Sequence, residues 1–181
     1  AAGLLNRLFP GKRQADVLLV ANERTRRALP HGCRGRVYEV VESGVDLNLW
    51  KPMERPPAPA SHPTRFVYMA RFIGQKGIPY LIEAFGLVAV KSGAVLELIG
   101  DGELFDAMRE RASALGVADR VNFHGRMTLE AAKKLIAESD VYVVPSIGDC
   151  GGLAMLEAMA IGMPVIAANW AGPGEYADEH C

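Results

Sequence analysis

No run of roughly 18 or more consecutive apolar residues occurs in this 181-residue chain, so none of it reads as a membrane-spanning helix. Neither sign of charge is in excess. Twenty Lys and Arg stand against 21 Asp and Glu, a net charge of −1 that offers nucleic acid no basic field. Cysteine is scarce: Cys33, Cys150 and Cys181 are odd in number and lack metal-ligand spacing, which predicts a reduced, cytoplasmic chain. No His/Asp cluster suggests a metal, and no internal repeat is evident. No strand is followed by G-x-G-x-x-G, since Gly100-Asp101-Gly102 runs on into Glu103, Leu104 and Phe105. That absence argues against a nicotinamide-dependent dehydrogenase. There is also no initiating Met and no secretory pattern, and the expectation is a fragment of a longer protein.

What is present is apolar material, 50% of the residues, enough for a proper core. Short apolar runs predict strands at Val17 to Ala21, Val37 to Val41, Arg65 to Ala70, Val95 to Ile99, Val121 to His124, Val141 to Val144 and Val165 to Ala168. Helix-length patterns lie between the later ones: Ile78 to Val90, Glu103 to Leu115, Leu129 to Glu138 and Leu153 to Ile161. Buried strands alternating with helices predict an α/β fold, a Rossmann-like doubly wound parallel sheet. Lys51 to Pro63 holds five prolines and reads as a linker or surface loop. The first 16 residues pair Leu4, Leu5, Leu8 and Phe9 with Arg7, Lys12 and Arg13. An interfacial helix and peripheral membrane association are one reading of them. The plainer one is a leftover of a preceding domain, because Pro10 ends the stretch.

The stretch from Val141 to Glu175 is the most informative. Strand, glycine loop, helix and returning strand make one βαβ unit, with Gly162 and Pro164 stopping the helix. Its loop lies at the carboxyl end of a parallel strand, where open α/β sheets bind ligands. Asp149 on that loop and Glu157 on the helix are separated by seven residues and can face one pocket. The Gly151 and Gly152 amides beside them suit an anion.

This passage resembles the signature of the retaining glycosyltransferases of family four, also called group 1, which have the GT-B fold. Pro145, Ser146, Gly152, Leu153, Leu156, Glu157, Ala158, Met159, Ala160, Gly162, Pro164, Val165, Ile166 and Ala167 follow its pattern in order. The first acid is Asp149, where the family usually has Glu, one methylene longer. The resemblance extends from about Asp16 to Glu175. Asp16 to Arg26 looks like the end of the acceptor domain, and Ser43-Gly44-Val45-Asp46 like the entry to the donor domain. Arg71, Lys76 and Gly77 match a basic element after the next strand, Gly100-Asp101-Gly102 a glycine pair, and His124-Gly125 a further loop.

The resemblance implies a sugar transferred from a nucleoside diphosphate to an acceptor hydroxyl with retention. This chain would be residues 1–43 of the acceptor side and crossover, then a nucleotide-sugar-binding domain from 44 to 181. Arg71 and Lys76 would hold the diphosphate, Arg by paired hydrogen bonds and Lys as a point charge. With the Gly152 amide they would stabilise the leaving group without a metal or any other cofactor. Glu157 would accept both ribose hydroxyls, and Asp149 a sugar hydroxyl. Gly100, Gly102 and Gly125 would border the base and ribose, and Gly151, Gly152 and Leu153 the phosphates. The plainer roles are solvated cations for Arg71 and Lys76, a helix N-cap for Asp149, a dipole-favoured Glu157, and simple turns for the glycines. His124 is left to packing, and Cys150 to a small buried residue. The expected partners are a nucleoside diphosphate sugar and a saccharide or lipid-linked acceptor, held by an acceptor domain outside this chain. The rival reading is a non-catalytic nucleotide-sugar-binding module or degenerate homologue.

Overall fold

The computed structural model describes residues 11–40, 44–53, 62–149, 151–170 and 172–176. Residues 1–10, Ser43, Cys150, Cys181 and most of the proline-rich stretch therefore lie outside the described residues. The chain divides into two compact units, 1–44 and 45–181.

In the first unit α1 (Gly11–Gln14) precedes β1 (Val17–Val20), α2 (Glu23–Arg27) and β2 (Arg36–Glu39). The two strands pair in parallel, with Leu19 opposite Tyr38. Asn22 starts α2 by accepting the Thr25 N–H at 2.9 Å.

The second unit runs β3 (Arg65–Met69), α3 (Ile78–Ser92), β4 (Val95–Ile99), α4 (Phe105–Ala114), β5 (Val121–Gly125), α5 (Leu129–Ala137), β6 (Val141–Val144), α6 (Leu153–Ala160), β7 (Val165–Ala167) and α7 (Pro173–Tyr176). The strands lie in the order β5-β4-β3-β6-β7, every pair parallel. This is the Rossmann-like α/β sheet expected. Most element ends sit within a residue or two of expectation. Helix α4 begins at Phe105 rather than Glu103, after a turn in which the Leu104 N–H goes to Phe72 O and the Phe105 N–H to Gly102 O, both at 3.0 Å. Helix α3 runs on to Ser92, and Gly93 closes it with its N–H on Ala89 O at 3.3 Å.

Successive strand residues point to opposite faces, and each face carries its own core. Tyr68, Leu96 and Leu98 pack with Ile78, Leu81, Ile82 and Phe85 of α3 and Met108 of α4. Val67, Ile99 and Tyr142 pack on the other face with Ala132 and Ile136 of α5 and Met155, Ala158 and Ile161 of the α6 region. Burial on both faces explains why β3 and β4 read as continuous apolar runs. One charge breaks that pattern: Glu97 on β4, its side chain only 3% exposed. Arg65 Nη2 reaches it at 2.8 Å and His124 Nε2 at 2.6 Å. Burial alone would raise its pKa, but hydrogen bonds from His124, Arg65 and Asn122 bring it below the ordinary carboxylate value.

Candidate functional site

From β3 the chain builds outward through β4 to β5, then returns to the other side of β3 to lay down β6 and β7. The loops after β3 and β6 therefore diverge, and a crevice opens between the carboxyl ends of these strands. A cleft of about 320 Å³ lies there. It is lined by Arg71 and Lys76 from the first loop and by Asp149, Gly152, Leu153 and Glu157 from the second loop and α6. The structure thus brings together both expected cations and both expected acids, from segments far apart in sequence.

Backbone contacts hold the two loops to each other. The Ile147 and Gly148 N–H groups both donate to Gln75 O, at 2.9 and 3.1 Å. Gly77, at φ 71°, ends the turn Gly74–Lys76 so close to β6 that a Cβ there would lie 1.9 Å from Pro145 O. No side chain fits at that point.

The acids and cations are not independent. Lys76 Nζ lies 2.5 Å from Asp149 Oδ2, with both side chains about four-fifths buried. Asp149 Oδ1 takes the Gly152 N–H at 3.4 Å, just ahead of α6. The anion that this amide faces in the structure is Asp149 itself, although the residue that starts α6 is Gly152 and no side chain caps the helix. Gly152 holds the left-handed conformation at the start of α6, while Gly151 is buried and Leu153 exposed beside it. Arg71 stands exposed at the rim.

Glu157 lies five residues into α6, on the cleft side. Burial raises its pKa, and a hydrogen bond from the Trp50 indole partly offsets the rise. Trp50 was not foreseen. The signal for it, an aromatic closing the run Val45-Asp46-Leu47-Asn48-Leu49, gives no hint of a partner on α6. Two buried tyrosines on the cleft wall were missed as well. The Tyr68 hydroxyl lies 3.4 Å from Lys76 O and the Tyr142 hydroxyl 3.3 Å from Met69 O. Burial pushes both phenols well above their ordinary range, so they stay protonated donors. Within strand runs they read only as core. Ser146, also buried, lines the same wall.

The remaining glycines gather beside a second hollow of about 510 Å³, which shares Met69, Ala70 and Arg71 with the first. Gly100 is part of its lining, with Met127 and Leu129 as apolar walls and Asp101 and Arg126 among the polar ones. A Cβ on Gly100, at φ 132°, would lie 1.9 Å from Ala70 O, and one on Gly102 would lie 2.7 Å from Phe72 O. These two glycines pack the β4 loop against the β3 loop, whatever else they border. Gly125 accepts the Gly100 N–H at 2.8 Å and has open space where a side chain would project. Among the described residues no three of His, Cys, Asp and Glu gather as metal ligands. No helix among them is long and apolar enough to cross a membrane.

Residues 53–180 match the family described as "Glycosyl transferases group 1". The lipopolysaccharide core biosynthesis glycosyltransferase LpsE of Rhizobium meliloti is 38% identical over 139 residues, 77% of this chain and 36% of that protein. The GDP-mannose-dependent α-(1-6)-phosphatidylinositol monomannoside mannosyltransferase of Mycobacterium tuberculosis is 31% identical over 153 residues, 76% of this chain and 39% of that protein. The chain therefore spans little more than a third of these relatives' length. The crystal structure of Anabaena HepE in complex with UDP-glucose superposes with a TM-score of 0.72 over 93% of this chain and 49% of that one, at 22% identity. The sheet, its crevice and a match over most of its length place this chain in the family of glycosyl transferases group 1.

Proposed function

We propose that the chain is the donor-binding half of a retaining glycosyltransferase that moves a hexose from a nucleoside diphosphate to an acceptor hydroxyl. One observation carries the reading: two cations and two acids face each other across the crevice at the sheet's switch point. A diphosphate seated there meets Arg71 and Lys76. Glu157 accepts the ribose hydroxyls. The nucleobase takes the second hollow, which has Gly100 in its lining. Named ligands and donors of relatives support the donor class, UDP-glucose for one and GDP-mannose for the other.

In the transfer the bond between the anomeric carbon and the diphosphate oxygen breaks, and its electron pair leaves with the phosphate. A bond from the acceptor oxygen to that carbon forms, and the acceptor hydroxyl gives up its proton. Arg71 and Lys76 stabilise the charge developing on the leaving phosphate, the task a metal performs elsewhere. Lys76 must turn from Asp149 to do so, which frees the Asp149 carboxylate for a sugar hydroxyl. Retention rests on the family resemblance, as does an acceptor held by chain outside these residues. The proposed setting is cytoplasmic.

The Lys76–Asp149 pair also favours a second reading, a module that binds a nucleotide sugar without turning it over. Calorimetry with nucleoside diphosphates and their sugars separates the two. If the sugar adds affinity that Asp149→Asn removes, the donor reading stands. Diphosphate and sugar donor binding equally, in the parent and in the variant alike, favours the module, and no binding of any nucleotide overturns both.

A further inference from the structure

The second hollow has apolar walls and a charged mouth. Met69, Ile99, Met127 and Leu129 line it, and Leu129 is left 39% exposed there. At the mouth stand Asp101, from the loop after β4, and Arg126, from the loop after β5. Asp101 is held through backbone and side chain alike. Its carbonyl accepts the Phe72 N–H at 2.9 Å, and its Oδ1 accepts the Gly102 N–H at 2.8 Å. Its Oδ2 faces Arg126 Nε at 3.6 Å, an ion pair too long for a hydrogen bond. The Arg126 side chain is 86% exposed and that of Asp101 48%, and a pair so open to water contributes little to the fold. What it does is set an acceptor and a donor side by side at the edge of an apolar slot.

We infer that this slot selects guanine: Asp101 accepts from N1–H and the 2-amino group, and Arg126 donates to O6 beside them. This rests on the reading above that a nucleobase occupies the hollow. Apolar walls suit the faces of any flat ring, so the polar groups at the mouth decide which ring is held. Guanine alone among the common bases carries two neighbouring donors with an acceptor, O6, next to them. A carboxylate takes both donors in parallel, and a guanidinium next to that carboxylate meets O6. Uracil offers a single N3–H between two carbonyls, so one carboxylate oxygen would face a carbonyl oxygen. Adenine and cytosine offer one amino group beside a bare ring nitrogen, with the same conflict. Each wrong base leaves the charged acceptor opposed rather than paired, which rejects more strongly than a missing contact.

Calorimetry on the chain with GDP, IDP, UDP, ADP and inorganic pyrophosphate tests the assignment, first without any substitution. GDP should bind about tenfold more tightly than UDP or ADP, the worth of one good bidentate pair. IDP lacks the 2-amino group and should fall about fivefold below GDP. In Asp101→Asn the amide oxygen can still take the Gly102 N–H, but two parallel donors no longer meet two acceptors. That variant should bind GDP and IDP alike and pyrophosphate as the parent does. Its affinity for UDP should rise, because the amide nitrogen can donate to a uracil carbonyl. UDP or ADP binding as tightly as GDP overturns the inference, and so does IDP matching GDP in the parent. A guanine preference that survives intact in Asp101→Asn overturns it as well. If all four nucleotides bind alike, the reading of the cleft stands and the choice of base falls. If none of them binds, and pyrophosphate does not either, the donor reading falls with it.

Discussion

Lys76 and Asp149 are 73 positions apart in sequence and 2.5 Å apart in space, and each limits what the other can bind. A diphosphate competes with Asp149 for the ammonium group. Lys76→Ala and Arg71→Ala should each weaken diphosphate binding by about 1.5–3 kcal/mol, the scale of a charge-assisted bond, while the bare nucleoside hardly changes. Asp149→Asn should act with the opposite sign on a diphosphate that carries no sugar. It releases Lys76 and removes a like charge, so the affinity should rise, by about 1 kcal/mol for a part-buried pair. Calorimetry on the three variants checks both signs, and a loss for Asp149→Asn would mark the acid as a cap of α6 rather than a competitor.

Glu157 gives a prediction in pH. Its pKa is raised, so the folded chain holds that proton more tightly than the unfolded chain does. Stability from this group is present at low pH and is lost as pH rises through the raised value. Nucleotide binding needs the carboxylate and runs the other way, strengthening over the same interval. Glu157→Gln should therefore melt no lower than the parent at neutral pH while losing nucleotide affinity and its pH dependence. Thermal melts beside binding curves test this, and a large fall in melting temperature would instead make Glu157 part of the framework.

At the scale of elements, the loops after β3 and β6 behave as one body because backbone meets backbone at Gln75, Gly77 and Pro145. Gly77→Ala would put a Cβ on a carbonyl oxygen in a left-handed conformation, at a cost of about 2–4 kcal/mol. Because the displaced loop carries Lys76, diphosphate binding should fall as well. Urea unfolding and calorimetry on this variant give the two numbers, and full stability with full binding would contradict the close approach. Much of this architecture was legible beforehand. Strands buried on both faces print as continuous apolar runs, and glycine and proline stops mark helix ends locally. The acid-and-glycine stretch after β6 lies at the carboxyl edge of the sheet, where the crevice opens, as its βαβ pattern predicts. The remainder depends on distance through the chain. Nothing near Lys76 announces Asp149, nothing near Trp50 announces Glu157, and Tyr68 and Tyr142 read as core until their hydroxyls are seen at the cleft wall.

At the scale of the whole molecule, stability in acid rests partly on Glu97. A lowered pKa means that its contribution is present above the ordinary carboxylate value and is lost as pH falls through the lowered one. Removing it by Glu97→Ala leaves Arg65 and His124 facing a vacated site, at a cost of about 3 kcal/mol near neutrality. Urea midpoints measured from neutral pH downward should show the variant less stable and its acid limb flatter. An unchanged midpoint would mean that the network contributes nothing. Ligand acts on the whole fold in the opposite direction: a nucleotide at about a hundred times its Kd adds roughly 2.7 kcal/mol, read directly as a rise in melting temperature. The chain also carries its own optical gauge of that event. Of its two tryptophans, Trp170 is 56% exposed and Trp50 only 2%. Iodide quenches light from the first and spares the second, so the blue-shifted emission that survives the quencher comes from the indole beside Glu157. Its intensity should follow cleft occupancy in the unlabelled protein.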